Sequence, residues 1–184
     1  MALKATIFKV ALQIADMDRG YYADHALTIA RHPSETDERM MLRVLAFALH
    51  AGEGVAFGNG LSTDDEPDLW QRDLTGAIRL WVDVGQPDEK LVRRACGRAD
   101  DVVVYTYGRG AELWWARSRG ALERARNLRV MSVPAAASPE LAKLVQRSMQ
   151  LQCTIQDGHV WLSDKDGTVE VALTTVASPS AASR

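Results

Sequence analysis

The spacing of apolar and polar residues changes period several times along the chain, and each change predicts an element. Residues 3–15 and 21–30 alternate with a period of two, as strands with one buried face do. Between them Asp16-Met17-Asp18-Arg19-Gly20 supplies turn chemistry. After Arg31-His32-Pro33 the period becomes helical. Ser34 suits an N-cap with Asp37 three residues on, the apolar spacing carries a helix to about Leu49, and Gly52 suits a stop. Residues 55–61 read as a short strand, residues 62–73 as a polar connection, and residues 78–84 as a strand broken by Gly85-Gln86-Pro87.

Two helix patterns, 88–99 and 110–126, alternate with strand patterns at 102–107 and 128–133. Ser138-Pro139-Glu140 opens a further helix to about Met149. Strands near 150–156, 159–163 and 168–175 follow, joined by Asp157-Gly158 and by a turn holding Asp166-Gly167. Alternating strands and helices flanked by hairpins predict a mixed α/β or α+β domain: a central mixed sheet with helices on it, one domain over 1–175, and a flexible Ser/Ala-rich tail over 176–184.

Composition changes this picture little. The 184 residues are enough for one self-sufficient core, and 22 Lys and Arg against 24 Asp and Glu exclude a bulk polyanion binder. No apolar run reaches the ~20 residues of a membrane helix, and residues 1–20 lack the apolar stretch of a signal peptide. Two cysteines, Cys96 and Cys153, both in apolar segments, read as small buried hydrophobes of a reduced compartment, the cytoplasm. His25, His32, His50 and His159 show no zinc spacing, and no nucleophile elbow or phosphate-binding glycine loop is present. Trp114-Trp115 reads as packing rather than as a stacking platform.

Charge placement singles out three places. Glu38 falls within about 40° of the line of Leu42, Leu45 and Leu49 on a helical wheel. A carboxylate on the core-facing line marks either a functional group or an acid favouring the helix N-terminus from the core's edge, while Glu35, one turn earlier, reads as a simple first-turn acid. Asp64, Asp65, Glu66, Asp68 and Asp73 form a dense acidic connection, suited to a hard cation or to a solvated loop. Asp83 lies near a strand end, where α/β sheets place ligands, with Arg79 and Trp81 on the same strand face. The helix after it turns Lys90, Arg93, Arg94 and Arg98 outward. Residues 79–130 hold 11 Lys and Arg against 7 Asp and Glu, so the acids and bases of the chain are segregated.

Several segments together resemble the YaeQ family of bacterial proteins from the first residue to about Thr175. They are Met1-Ala2-Leu3-Lys4-Ala5-Thr6-Ile7, Arg31-His32-Pro33-Ser34-Glu35-Thr36, Glu38-Arg39-Met40-Met41-Leu42-Arg43, Asp64-Asp65-Glu66-Pro67, Gly85 with Pro87-Asp88-Glu89, Trp114-Trp115, Thr154-Ile155-Gln156-Asp157-Gly158 and Trp161-Leu162-Ser163-Asp164. The resemblance implies a compact variant of the PD-(D/E)XK nuclease fold, with a restriction-endonuclease-like core. By position it would make Glu38, Asp65 and Asp83 ligands of Mg²⁺, with Asp68 after Pro67 the alternative to Asp65. Gln86, Lys90, Arg93 and Arg94 would contact phosphate. Two residues after Asp83 stands Gly85 where the motif has lysine, leaving Gln86, Lys90 or Arg94 to take its place. The resemblance thus implies a Mg²⁺-dependent, phosphodiester-acting protein. The alternative is a non-catalytic nucleic-acid-binding or regulatory protein of the same fold, and a third reading is a protein–protein adaptor. A monomer with no membrane contact and no obligate protein partner is expected.

Overall fold

The computed structural model describes residues 3–59, 61 and 63–179. In chain order the elements are β1 (Thr6–Asp16), β2 (Tyr21–Arg31), α1 (Asp37–His50), β3 (Val55–Phe57), β4 (Leu69–Arg72), β5 (Ile78–Val84), α2 (Glu89–Cys96), β6 (Ala99–Thr106), α3 (Ala111–Leu122), β7 (Leu128–Ser132), α4 (Ala137–Ala142), β8 (Ser148–Gln156), β9 (His159–Ser163), β10 (Thr168–Ala172) and β11 (Thr174–Ala177). The mixed α+β class holds, but the strands form two mixed sheets rather than one central sheet. The chain divides into two compact units, Met1–Ala51 with Pro134–Leu173, and Gly52–Val133 with Thr174–Arg184. Among the described residues no helix is long and apolar enough to cross a membrane.

The first unit carries the sheet β10-β9-β8-β1-β2. β1 pairs antiparallel with β2 from Thr6↔Arg31 to Asp16↔Tyr21, and parallel with β8 from Lys9↔Ser148 to Asp16↔Ile155. Phe8, Val10, Leu12 and Ile14 of β1 are buried, as the period of two requires. Helix α1 is not the one-sided helix that the wheel predicts, because Met40 to Ala48 are buried on every face. Both its ends are fixed by side chains. At the N-terminus Thr36, not Ser34, is the cap, accepting from the Arg39 N–H, while Ser34 bonds His32 instead. Glu35, 7% exposed, is no first-turn acid. It pairs with Arg39 at 2.6 Å and with Arg43, which also donates to the Ala30 carbonyl at the end of β2. At the C-terminus the Arg19 guanidinium donates to the Ala48 and Ala51 carbonyls, a cation at the negative end of the helix dipole. Asp16, 2% exposed, holds that guanidinium at 2.6 Å, and Asp18 accepts from the N–H groups of Asp157 and Gly158 in the β8–β9 turn. The segment Asp16–Gly20, the end of β1 and the turn after it, thus ties down a helix end and a hairpin.

The second unit carries the sheet β11-β7-β6-β5-β4-β3. β5, β6 and β7 are parallel neighbours, with Val82↔Val103 and Val103↔Arg129 in register. Parallel neighbours need crossovers, and α2 and α3 supply them. Val92 and Ala95 of α2 and Leu122 of α3 share one core cluster with Trp81, Val102, Val104 and Val130. Both helices therefore cover the same face of the sheet.

Several boundaries move from the sequence expectation: the strand expected over 55–61 stops at Phe57, because only Val55–Phe57 pair with β4, and Leu69–Arg72 of the expected polar connection form β4 itself against β5. Helix α4 begins at Ala137, so Ser138 and Pro139 sit inside its first turn, where a missing N–H costs nothing. It ends at Ala142, because Ser148 and Met149, expected at the end of the helix, pair with β1 as β8. The final strand splits at Leu173: β10 stays with β9, while β11 pairs with β7 and takes in Val176 and Ala177 of the expected tail. Residues 180–184 of that tail lie outside the described residues.

Replacing Glu35 with Ala strips two arginines of their buried carboxylate. Breaking a buried pair by removing one partner costs about 3–5 kcal/mol, so a urea titration of Glu35→Ala shows a lowered midpoint by that amount of free energy. A change under about 1 kcal/mol contradicts the anchoring role given to Glu35.

Candidate functional site

The positions that the resemblance implies fall in both units. Glu38 belongs to the first, half-buried in the first turn of α1 beside Asp37, where a carboxylate favours the helix N-terminus. With α1 buried on every face, the wheel no longer sets Glu38 apart. Asp65, Asp83, Gln86, Lys90, Arg93 and Arg94 belong to the second unit.

Asp83 stands one residue from the end of β5, half-buried, and its Oδ2 accepts from the indole N–H of Trp81 at 2.9 Å. The two are i and i+2 on one strand face, as the alternation predicts. Trp81 itself is 4% exposed in the cluster under α2 and α3, so this face is interior rather than solvent-facing. Asp68, 2% exposed, reaches the same strand end. β4 begins at Leu69, opposite Val82, and beyond it the Asp68 Oδ2 accepts from the Val84 N–H at 2.8 Å. The side chain continues the ladder where the backbone of β4 stops.

Asp65 is placed differently. Its side chain is 79% exposed, lies 3.4 Å from Arg94, and the Asp65 carbonyl accepts from Arg98 at 3.0 Å. Asp68, the alternative, bonds the backbone at the C-terminal end of β5, while Asp73 pairs with Arg79 near the other end of that strand. Two other acids of the connection are also held locally: Glu66 accepts from the backbone and side-chain amides of Asn59, and Asp73 closes its own turn. Among the described residues no three His, Cys, Asp or Glu side chains are grouped to hold a metal ion. The donors around β5 therefore do not fit a closed metal cage.

The loops after β5 and β6 interlock. The Gly85 N–H donates to the Tyr105 carbonyl, in a left-handed turn at φ 105° that favours glycine, and the Gln86 amide donates to the Tyr107 carbonyl. A side chain at Gly110 would meet Gln86 Oε1 at 2.8 Å, so that glycine makes room for Gln86. The Trp114 indole donates to the Pro87 carbonyl at 2.7 Å, and both Trp114 and Trp115 pack against the core cluster, as expected of packing residues. Gln86 is thus a strut between loops, with its side chain exposed.

Outside this framework lies a basic layer. Lys90, Arg93, Arg94 and Arg98 on and after α2, and Arg117, Arg119, Arg124 and Arg126 on and after α3, are all exposed. Arg94 faces Asp65, and Arg119 lies 3.9 Å from Glu123, both exposed pairs that neutralise little. The helix pattern of the sequence singles out only the α2 side of this layer. The excess of bases over 79–130 was the signal for the rest. The thiols take no part: burial pushes Cys96 up and, with the Asp16 charge, pushes Cys153 up to about 12.

The family model described as YaeQ protein matches residues 1–173. A curated protein of Salmonella typhi, "Uncharacterized protein YaeQ", is 45% identical over 181 residues, 98% of this chain and all of that one. The chain belongs to the YaeQ family. The crystal structure of the YaeQ protein from Xanthomonas axonopodis pv. citri superposes with a TM-score of 0.91 at 52% identity, covering 95% of this chain and 99% of that one. That of the Pseudomonas syringae YaeQ protein gives 0.90 at 36% identity, covering 94% and 96%. YaeQ likeness over this length supports the mixed α+β fold.

The acidic connection has one titration signature. The Thr75 hydroxyl, and after it Arg79 and the N–H groups of Thr75 and Ala77, hold the Asp73 carboxyl at about 2 from its ordinary 3.8, against an opposing push from burial. A depressed carboxylate stabilises the fold fully above its unfolded value, and the contribution fades as pH falls through the folded one. The urea midpoints of wild type and Asp73→Asn are therefore expected to differ by a constant amount above about pH 4 and to converge towards pH 2. A difference that survives unchanged at pH 2 contradicts this assignment.

Proposed function

We propose that the chain binds the phosphodiester backbone of a nucleic acid on the helix layer of its second unit. The observation that carries this reading is the exposed arc of Lys90, Arg93, Arg94, Arg98, Arg117, Arg119, Arg124 and Arg126 over α2 and α3. Lys90 and Arg93 have no acidic partner among the described residues, so their charge is available to phosphate. Bases on two helices packed over one face track a polyanion, whereas one basic helix alone is more often a solvated face. The Asp65 carboxylate beside Arg94 is readily displaced, since both side chains are more than half exposed.

A second reading has one observation in its favour. Asp68 and Asp83 both stand at the end of β5, the place where a phosphodiester-cleaving protein of nuclease-like fold would keep its acids. Magnesium is the ion that chemistry would use, held by carboxylates together with substrate phosphate. The Gly85 position and the engagement of both acids with Val84 and Trp81 rank hydrolysis second.

One experiment separates the two. Fluorescence anisotropy of single- and double-stranded oligonucleotides is measured against salt, with and without Mg²⁺, and the mixtures are then examined for cleavage. Binding that weakens linearly in log[salt] is expected, its slope reduced by about 1 in Arg93→Ala and again in Arg117→Ala. Cleavage that needs Mg²⁺ and is lost in Asp83→Asn selects the second reading. Salt-independent binding, or none, removes the first.

A further inference from the structure

The five-stranded sheet of the first unit ends in β10 on one side and β2 on the other. β10 has 5 residues and β2 has 11. An edge strand presents a row of unpaired backbone donors and acceptors, which proteins blunt with short length, proline or a bulge. β2 has none of these. Its register with β1 is unbroken over all 11 pairs, and it contains no proline. Its core-facing positions are also poorly covered: Tyr21, Ala23, His25 and Leu27 are only half-buried, whereas their counterparts on β1 are buried. On the outer face Tyr22 is 64% exposed.

We propose that β2 is the pairing edge for a second copy of the chain, joined antiparallel about a two-fold axis at Ala26. Such an interface is isologous, so each contact occurs twice. In this register Asp24 faces the partner's Thr28, Tyr22 faces the partner's Ala30, and Ala26 faces its own counterpart. The Lys9 ammonium already sits on the Thr28 hydroxyl at 2.8 Å, so the partner's Asp24 carboxylate arrives beside a cation at both ends of the interface. Beyond Ala30 lies Ile7 on β1, 44% exposed, so Tyr22 and the partner's Ile7 cover each other. Ala26 and its β1 neighbour Ala11 leave no bulk at the axis. Moving the axis one residue either way takes Asp24 away from Thr28 and Lys9. An unrelated peptide would satisfy the backbone but not these reciprocal side-chain contacts, which is why the second copy is the occupant.

Sedimentation of the full chain over a range of concentrations tests this, and the expected mass rises from one chain to two. Ala26→Glu, at an exposed position, sets two carboxylates across the axis and holds the mass at one chain. Ala172→Glu, exposed on the opposite edge strand β10, leaves association unchanged. Lys9→Asp and Asp24→Lys each weaken association by about tenfold, and the double variant restores it. This charge swap decides the matter if circular dichroism shows that Ala26→Glu has lost its fold. One-chain mass at every concentration, association indifferent to Ala26→Glu in a folded chain, or single variants that the double does not rescue overturns the proposal.

Discussion

A parallel strand pair cannot be closed by a tight turn, and the charge layout of the second unit follows from that constraint. β5 pairs with β6 and β6 with β7, so the chain crosses over twice, and both crossover helices come down on the same face. Val92, Ala95 and Leu122 take the inward positions, which leaves the arginines and Lys90 outward. Bases from Lys90 to Arg126, far apart in sequence, thereby come to the exposed side of one helix layer. Had the strands been joined as hairpins, the same residues would have been dispersed along strand edges.

The acids meet the opposite fate. Five carboxylates in ten residues look like a single negative site in the sequence, yet the structure gives most of them separate work. Asp73 closes a turn, Glu66 pins Asn59, Asp68 extends the β4 ladder to Val84, and Asp65 leans on Arg94. Near-neutral net charge therefore conceals a concentrated basic face and a scattered set of acids. In the first unit the buried charges serve anchorage: Glu35 with Arg39 and Arg43 at one end of α1, Asp16 with Arg19 at the other.

Much of the architecture was legible where the signal is local. The period-two runs of β1 and β2, the β5-α2-β6-α3-β7 alternation and the Asp157-Gly158 hairpin all stand as expected. What was missed depends on distant partners. β4 has four residues, and its register is set by β5. β8 reaches back to Ser148 because β1 is there to pair with it, and β11 leaves its hairpin because β7 is. Glu35 could be read as a first-turn acid because its arginine partners lie one and two turns on, inside a helix whose all-round burial no wheel reveals. Asp68 rather than Asp65 reaches the end of β5, a placement that cannot be counted along the sequence before β4 is known. Family likeness to YaeQ supplies the architecture, and the site must be read from these contacts.

Hydrogen–deuterium exchange on the chain saturated with a short oligonucleotide tests the central claim most directly. Slowed exchange over α2 and α3, around Lys90–Arg98 and Arg117–Arg126, is the predicted footprint. A footprint that spares both helices while binding is measurable, or one confined to the sheet of the first unit, would contradict it.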